Sequence, residues 1–199
     1  MKKFFTASNI AKIGIFTALS VILYFVNFPL PFFPSFLQIH FSDLPALICG
    51  FALGPLGGAI SVFVKILIKL PTTNTLGVGE CADLIVGLMF VLPASFIYKR
   101  DKSKASAIIG IIIGALCSIV SSILANWLVI IPAYMRVYSL TLADIVGMCS
   151  KVLPFITEEN FYPTYLFLSV LPFNTLRCVV VSVVTIFAYK HISNLLKRF

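Results

Sequence analysis

The chain has 199 residues, of which 60% are hydrophobic and only 11% charged. A soluble domain of this length would need a mostly apolar surface to carry that composition, so the sequence reads as an integral membrane protein. The net charge of +8 does not indicate nucleic acid, because the basic residues gather at the ends of apolar runs, as the positive-inside pattern requires.

The first span is expected over about 9–27, near the ~20 residues a bilayer needs. Lys2, Lys3 and Lys12 place its start in the cytoplasm. The apolar run continues to Phe28 without a small-residue cleavage site, so the segment is expected to be retained. Gly14 and Ala18 form a small-xxx-small pair that lets a second helix approach, either from this chain or from a partner.

The outer loop 28–43 holds Pro29, Pro31 and Pro34 among Phe28, Phe32, Phe33, Phe36 and Phe41. Prolines forbid a regular helix and phenylalanines avoid water, so this segment is expected to cap a cavity; an interfacial aromatic belt is the alternative. Asp43 is a candidate helix N-cap.

The apolar run after Leu44 breaks at Gly54-Pro55-Leu56-Gly57-Gly58. The basic cluster Lys99, Arg100, Lys102 and Lys104 must share a side with the N-terminus, which requires two short spans, about 44–54 and 57–70. Short spans leave a depression on the outer side that the proline-rich loop can cover. Lys65 and Lys69 are expected to meet Glu80 and Asp83 at one level, as structural ion pairs or as snorkelling ends. Between them lies outer loop 71–79, whose Gly77 and Gly79 permit close backbone approach to a ligand.

Further spans are expected over about 80–98, 105–131 and 172–190, with outer loop 132–171 carrying a short helix near 139–152. Gly110 and Gly114 repeat the close-packing spacing, and Asn126-Trp127 sits near an outer end. Pro172 suits the first turn of the last helix, which would put Asn174 and Arg177 on one face. Arg177 there either snorkels or meets a partner. The expected fold is therefore all-α, one membrane domain over 1–199 with six transmembrane helices and both termini cytoplasmic.

Some chemistry is missing. Five scattered cysteines lack C-x-x-C spacing, and His40 and His191 fall on opposite sides of the membrane, which gives neither a metal site nor a Ser-His dyad. The sequence contains no Walker motif and no internal repeat of the secondary-transporter kind. It reads as a binding subunit, not an enzyme, with no metal and no cofactor.

Phe41-Ser42-Asp43-Leu44-Pro45-Ala46-Leu47, Gly54-Pro55-Leu56-Gly57-Gly58, Gly77-Val78-Gly79-Glu80, Asn126-Trp127 with Ile131-Pro132-Ala133-Tyr134, and Leu171-Pro172-Phe173-Asn174 together resemble the riboflavin-binding S components of energy-coupling factor (ECF) transporters. The likeness spans residues 12 to 190. It implies a substrate-binding subunit that takes riboflavin from outside for ATP-driven uptake, with the transmembrane coupling protein EcfT and a cytoplasmic ATPase pair in the cell membrane. By that resemblance Asn126, Asn174 and Arg177 contact the flavin. Leu37 in the cap, Gly79, Glu80 and Trp127 join them as candidate contacts, and Gly14 and Ala18 are the candidate partner interface. The pattern has Lys where Arg177 stands, Asn at Asp83 and Tyr at Trp127. Another heteroaromatic vitamin, flavin mononucleotide or a standalone permease remain the alternatives.

Overall fold

The computed structural model describes residues 4–196, with side chains to residue 188. Lys2 and Lys3, used above to orient the N-terminus, and the side chain of His191 lie outside the described residues. In chain order the elements are α1 (Ala7–Phe25), β1 (Phe28–Pro29), β2 (Gln38–Ile39), α2 (Asp43–Leu53), α3 (Pro55–Lys69), α4 (Val78–Arg100) and α5 (Lys104–Ala125). Helices α6 (Ile131–Val137), α7 (Leu142–Ser150), α8 (Phe161–Tyr165) and α9 (Leu171–Leu196) follow. Five helical stretches among the described residues are long and apolar enough to cross a membrane, and α2 is a shorter apolar helix. Their outward faces carry residues such as Ile15, Ile22, Ile112, Leu116 and Val120, all exposed, as expected where the solvent is lipid.

The core joins α2, α4, α5 and α9 through Leu47, Phe51, Phe90, Val91, Tyr98, Ile111 and Val181. Glycine sets how closely its helices approach. A β-carbon on Gly110 would lie 2.7 Å from the carbonyl oxygen of Ala94, and one on Gly114 would lie 2.5 Å from that of Phe90, so α4 and α5 touch backbone to backbone there. Gly54, at φ +87, breaks the chain between α2 and α3 in a conformation that favours glycine.

Three expectations are corrected. Asp43 does not cap α2; it is the first helical residue, after Ser42, and its carboxylate turns inward to Lys65 and Arg177. The last helix does not start at Pro172, because α8 and α9 form one rod from Phe161. The expected outer loop 132–171 is consequently largely helical, with α5 likewise running on into α6.

Both rods survive a proline in the same way. Asn126–Ile130 and Leu166–Val170 are wide π turns, each followed at once by an X-Pro pair, Ile131-Pro132 and Leu171-Pro172. The Ile131 amide bonds the Asn126 carbonyl and the Leu171 amide bonds that of Leu166, five residues back in each case. Inside a regular helix the proline ring would strike the carbonyl four residues earlier and leave it unbonded. One extra residue in the turn moves that carbonyl aside. The helix continues, and the bulge re-aims the side chains around it.

The proline-rich segment folds back on itself as a hairpin. Phe28 pairs with Ile39 and Pro29 with Gln38 in a two-stranded antiparallel ladder, an addition to the all-α expectation. Its aromatic tip packs on the outer helices, with Phe33 edge-on to Phe173 at 5.4 Å and Phe36 at 5.8 Å from Tyr134 and 6.0 Å from Tyr165, between ring centroids.

A β-carbon on Gly14, by contrast with one on Gly114, would meet nothing within 4 Å. Gly114→Val is expected to remove most folded, monodisperse protein from a detergent extract, because overpacking against backbone costs about 1–3 kcal/mol or more. Gly14→Val is expected to leave yield and thermal stability unchanged, as size-exclusion profiles and melting curves of the two variants would report.

Candidate functional site

Against the hairpin lies an open cavity with about 820 Å³ of empty space, counted out into the solvent at its mouth. Its inner part is aromatic and amide in character. Phe36, Tyr134, Tyr165 and Phe173 supply ring faces, with Asn126 and Asn174 between them. The two π turns place those amides: Asn126 opens the first, and Asn174 follows the second by four residues. Asn126 Nδ2 donates to the Ser122 carbonyl at 2.9 Å while its Oδ1 accepts the Tyr165 hydroxyl at 3.0 Å. Asn174 Nδ2 donates to the Val170 carbonyl at 2.9 Å, which fixes the amide and directs its Oδ1 away from the helix. A buried amide oxygen held this way is a ready acceptor for the edge of a flat heterocycle.

On one side of the cavity sits a charge network that ties five elements together. Arg177 on α9 is 4% exposed. Its Nη1 donates to Asp83 Oδ1 on α4 at 2.7 Å and its Nη2 to Asp43 Oδ2 on α2 at 2.6 Å. Lys65 on α3 donates to the other Asp43 oxygen and, at 2.7 Å, to Ser42 Oγ. Tyr24 on α1 donates to Asp83 Oδ2. With His40 neutral, two carboxylates face two cations, and the cluster carries no net charge.

The direction of each bond fixes the state of His40, which joins the cap to this network. Asp83 can only accept, so His40 Nε2, 2.9 Å away, carries the proton. In the neutral ring Nδ1 is bare and accepts the Ser42 hydroxyl at 3.0 Å. Burial pushes the imidazole below its ordinary range, and the nearby Arg177 and Lys65 act in the same direction against the pull of Asp83.

The charge pairing differs from the sequence expectation. Lys65 meets Asp43, not Glu80 or Asp83, and Asp83 meets Arg177. Glu80 is held by Thr73 and Thr75. Spacing along single helices orders the charges on each face but leaves the rotation of one helix against the next undetermined, and that rotation selects the partners.

Of the candidate contacts, Leu37, Gly79, Glu80, Asn126, Asn174 and Arg177 all line the cavity. Trp127 does not. It is 50% exposed, because the π turn buries Asn126 and Ile130 and leaves the residue after Asn126 facing outward. The aromatic walls come instead from Phe36, Tyr134, Tyr165 and Phe173, which sequence reasoning does not assign to the site. Tyr134 stands in one of the motifs quoted above, and Tyr165 is hidden because residues 161–165 read as loop. Gly14 and Ala18 do not line the cavity and lie on the exposed face of α1.

A cavity lined in part by the hairpin, within a bundle of long apolar helices, has the form of a small-molecule-binding membrane subunit. Residues 8–189 match the family model for the ECF transporter, substrate-specific component. The chain is 32% identical over 190 residues to the riboflavin transporter RibU of Staphylococcus aureus (strain TCH60), covering 96% of this chain and 93% of that one. It is 27% identical to the riboflavin transporter FmnP of Bacillus subtilis (strain 168), covering 88% and 87%. A solved structure described as "Structure and mechanism of the S component of a bacterial ECF transporter" superposes with a TM-score of 0.74 at 29% identity, covering 96% of this chain and 98% of that one. This chain belongs to the substrate-specific components of ECF transporters, a family of transporter subunits and not of enzymes.

Two outcomes follow for the network. Arg177→Met leaves Asp43 and Asp83 buried against each other without their shared cation, and removing one partner of a buried ion pair costs about 3–5 kcal/mol. The variant should therefore melt well below the wild type in detergent, and Arg177→Lys, which keeps the charge but not the two-pronged bridge, should fall between them. For His40, a folded state that stays neutral takes up fewer protons than the unfolded chain below pH about 6.5. Its stabilising effect is full above that pH and declines as the pH falls through it. Melting temperature should drop between pH 7 and 5, and His40→Gln should flatten that part of the profile.

Proposed function

We propose that this chain binds riboflavin from the outer side of the cell membrane and presents it for inward transport as the substrate-binding subunit of an ECF-type importer. The observation that carries this reading is the inner cavity, where two fixed asparagine amides stand among four aromatic rings. A planar heterocycle with hydrogen-bonding edges fits such a slot, through stacking faces for its rings and amide groups for its carbonyls and imino nitrogens. The riboflavin transporters among its relatives, matched over nearly the whole chain, support the same ligand. Riboflavin is substrate here, not cofactor.

In the proposed arrangement the chain crosses the membrane six times with both termini cytoplasmic, α2 and α3 being the two short crossings and the 28–43 hairpin covering the outer mouth. Energy comes from the coupling protein EcfT and a cytoplasmic ATPase pair, since the chain holds no nucleotide motif. Gly14 and Ala18 present small side chains on the outward face of α1, where a partner helix can approach closely.

In vesicles, riboflavin uptake should require this chain, the coupling protein, both ATPases and ATP. Uptake by this chain alone on an ion gradient would instead make it a standalone permease. Replacing Gly14 and Ala18 together with Leu should prevent co-purification with the coupling protein, while riboflavin fluorescence is still quenched on binding. Continued co-purification would place the partner interface elsewhere.

A further inference from the structure

Two charged side chains that line the cavity make no hydrogen bond or ion pair with the network around Arg177, and they are unpaired in complementary ways. Lys69, the last residue of α3, is 8% exposed. Its ammonium rests over the rings of Tyr24 and Phe25, at 5.7 and 4.4 Å from their centroids. Ring faces stabilise the charge but accept none of its three hydrogen bonds in the conventional sense, and no carboxylate pairs with it among the described residues.

Glu80, in the first turn of α4, is 5% exposed. Only its Oε2 is occupied, accepting the Thr73 and Thr75 hydroxyls at 2.7 and 2.8 Å. Those hydroxyls are themselves fixed, since Thr73 Oγ1 accepts the amides of Thr75 and Gly77, and Thr75 Oγ1 accepts that of Gly79. The carboxylate is thus locked in place with Oε1 left over. Both residues line the cavity. Neither the Lys69 ammonium nor Glu80 Oε1 is among the sealed, unpartnered atoms, which are the hydroxyls of Ser20, Ser95 and Ser169 and the Arg177 Nε.

We propose that Lys69 and Glu80 together read the side chain of the flavin, accepting a neutral polyol and discriminating against one that ends in phosphate. The proposal rests on the riboflavin reading and adds the residues that choose between forms of that ligand. A hydroxyl both donates and accepts, so adjacent hydroxyls on one chain can accept from Lys69 and donate to Glu80 at once. A phosphate monoester carries a charge of about −1.5 to −2 at pH 7 and offers mainly acceptors. It satisfies Lys69 but brings like charge against a fixed, nearly buried carboxylate, and such juxtaposition is strongly unfavourable at a desolvated site. Glu80 therefore supplies the discrimination, and Lys69 the grip common to both ligands.

The test uses the purified full-length chain in detergent and three probes followed by flavin fluorescence quenching. They are riboflavin, riboflavin phosphate and a flavin with a methyl group in place of the polyol. The wild type should bind riboflavin at least about tenfold more tightly than its phosphate. Glu80→Gln, which keeps the shape and the threonine contacts, should shift the ratio toward the phosphate by roughly tenfold. Lys69→Met should lose about fivefold or more for riboflavin relative to the methyl flavin, and at least as much for the phosphate. If Glu80→Gln leaves the phosphate ratio unmoved, or if both variants weaken all three flavins in equal proportion, the two side chains are structural and the proposal falls while the riboflavin reading stands. A wild type that quenches none of the three overturns that reading and this proposal together.

Discussion

The bridge from Arg177 to Asp43 and Asp83 is the constraint on which the rest of the site depends. Taken singly, each of these groups would be costly at its depth in a membrane protein. Joined, they form one neutral cluster that fixes α2, α4 and α9 relative to one another, and Lys65 and Tyr24 extend it to α3 and α1. Lipid offers little hydrophobic drive to hold helices together, so directional bonds of this kind, with the backbone contacts at Gly110 and Gly114, set the frame. The cavity is the space that this frame leaves.

The same cluster connects the cap to the bundle. His40 follows β2 in the hairpin and reaches Asp83, which is also bonded to Arg177 and Tyr24. The roof is therefore held at both ends, by aromatic packing of Phe33 and Phe36 on the outer helices and by the imidazole at its base.

Much of this was legible in the sequence because the underlying rules are local. Apolar runs and clustered lysines indicate the membrane class, the Gly54-Pro55 break divides α2 from α3, and the Gly110/Gly114 spacing marks a close crossing. What was not legible depends on relations between distant segments. The π turns at 126–130 and 166–170 depend on how a helix absorbs a proline, which a linear reading resolves as a new helix start at Pro172. The second of these hid Tyr165 in an apparent loop, and the first turns Trp127, a candidate contact, away from the cavity. The ion pairs were misassigned for a related reason, since periodicity orders Lys65, Lys69, Glu80 and Asp83 on their own helices without fixing how α3 and α4 rotate against α2 and α9.

Asn174 concentrates the site's chemistry in one side chain, because one Nδ2 hydrogen is committed to the Val170 carbonyl and its Oδ1 and second Nδ2 hydrogen are left for a ligand. The most direct measurement titrates riboflavin into purified wild-type and Asn174→Leu protein and compares the two dissociation constants by fluorescence quenching. The account predicts tight binding by the wild type and a loss in the variant of about 1–3 kcal/mol, from roughly fivefold to more than a hundredfold, with the melting temperature nearly unchanged. Equal affinity in the two proteins, or a wild type that does not bind riboflavin, would contradict it.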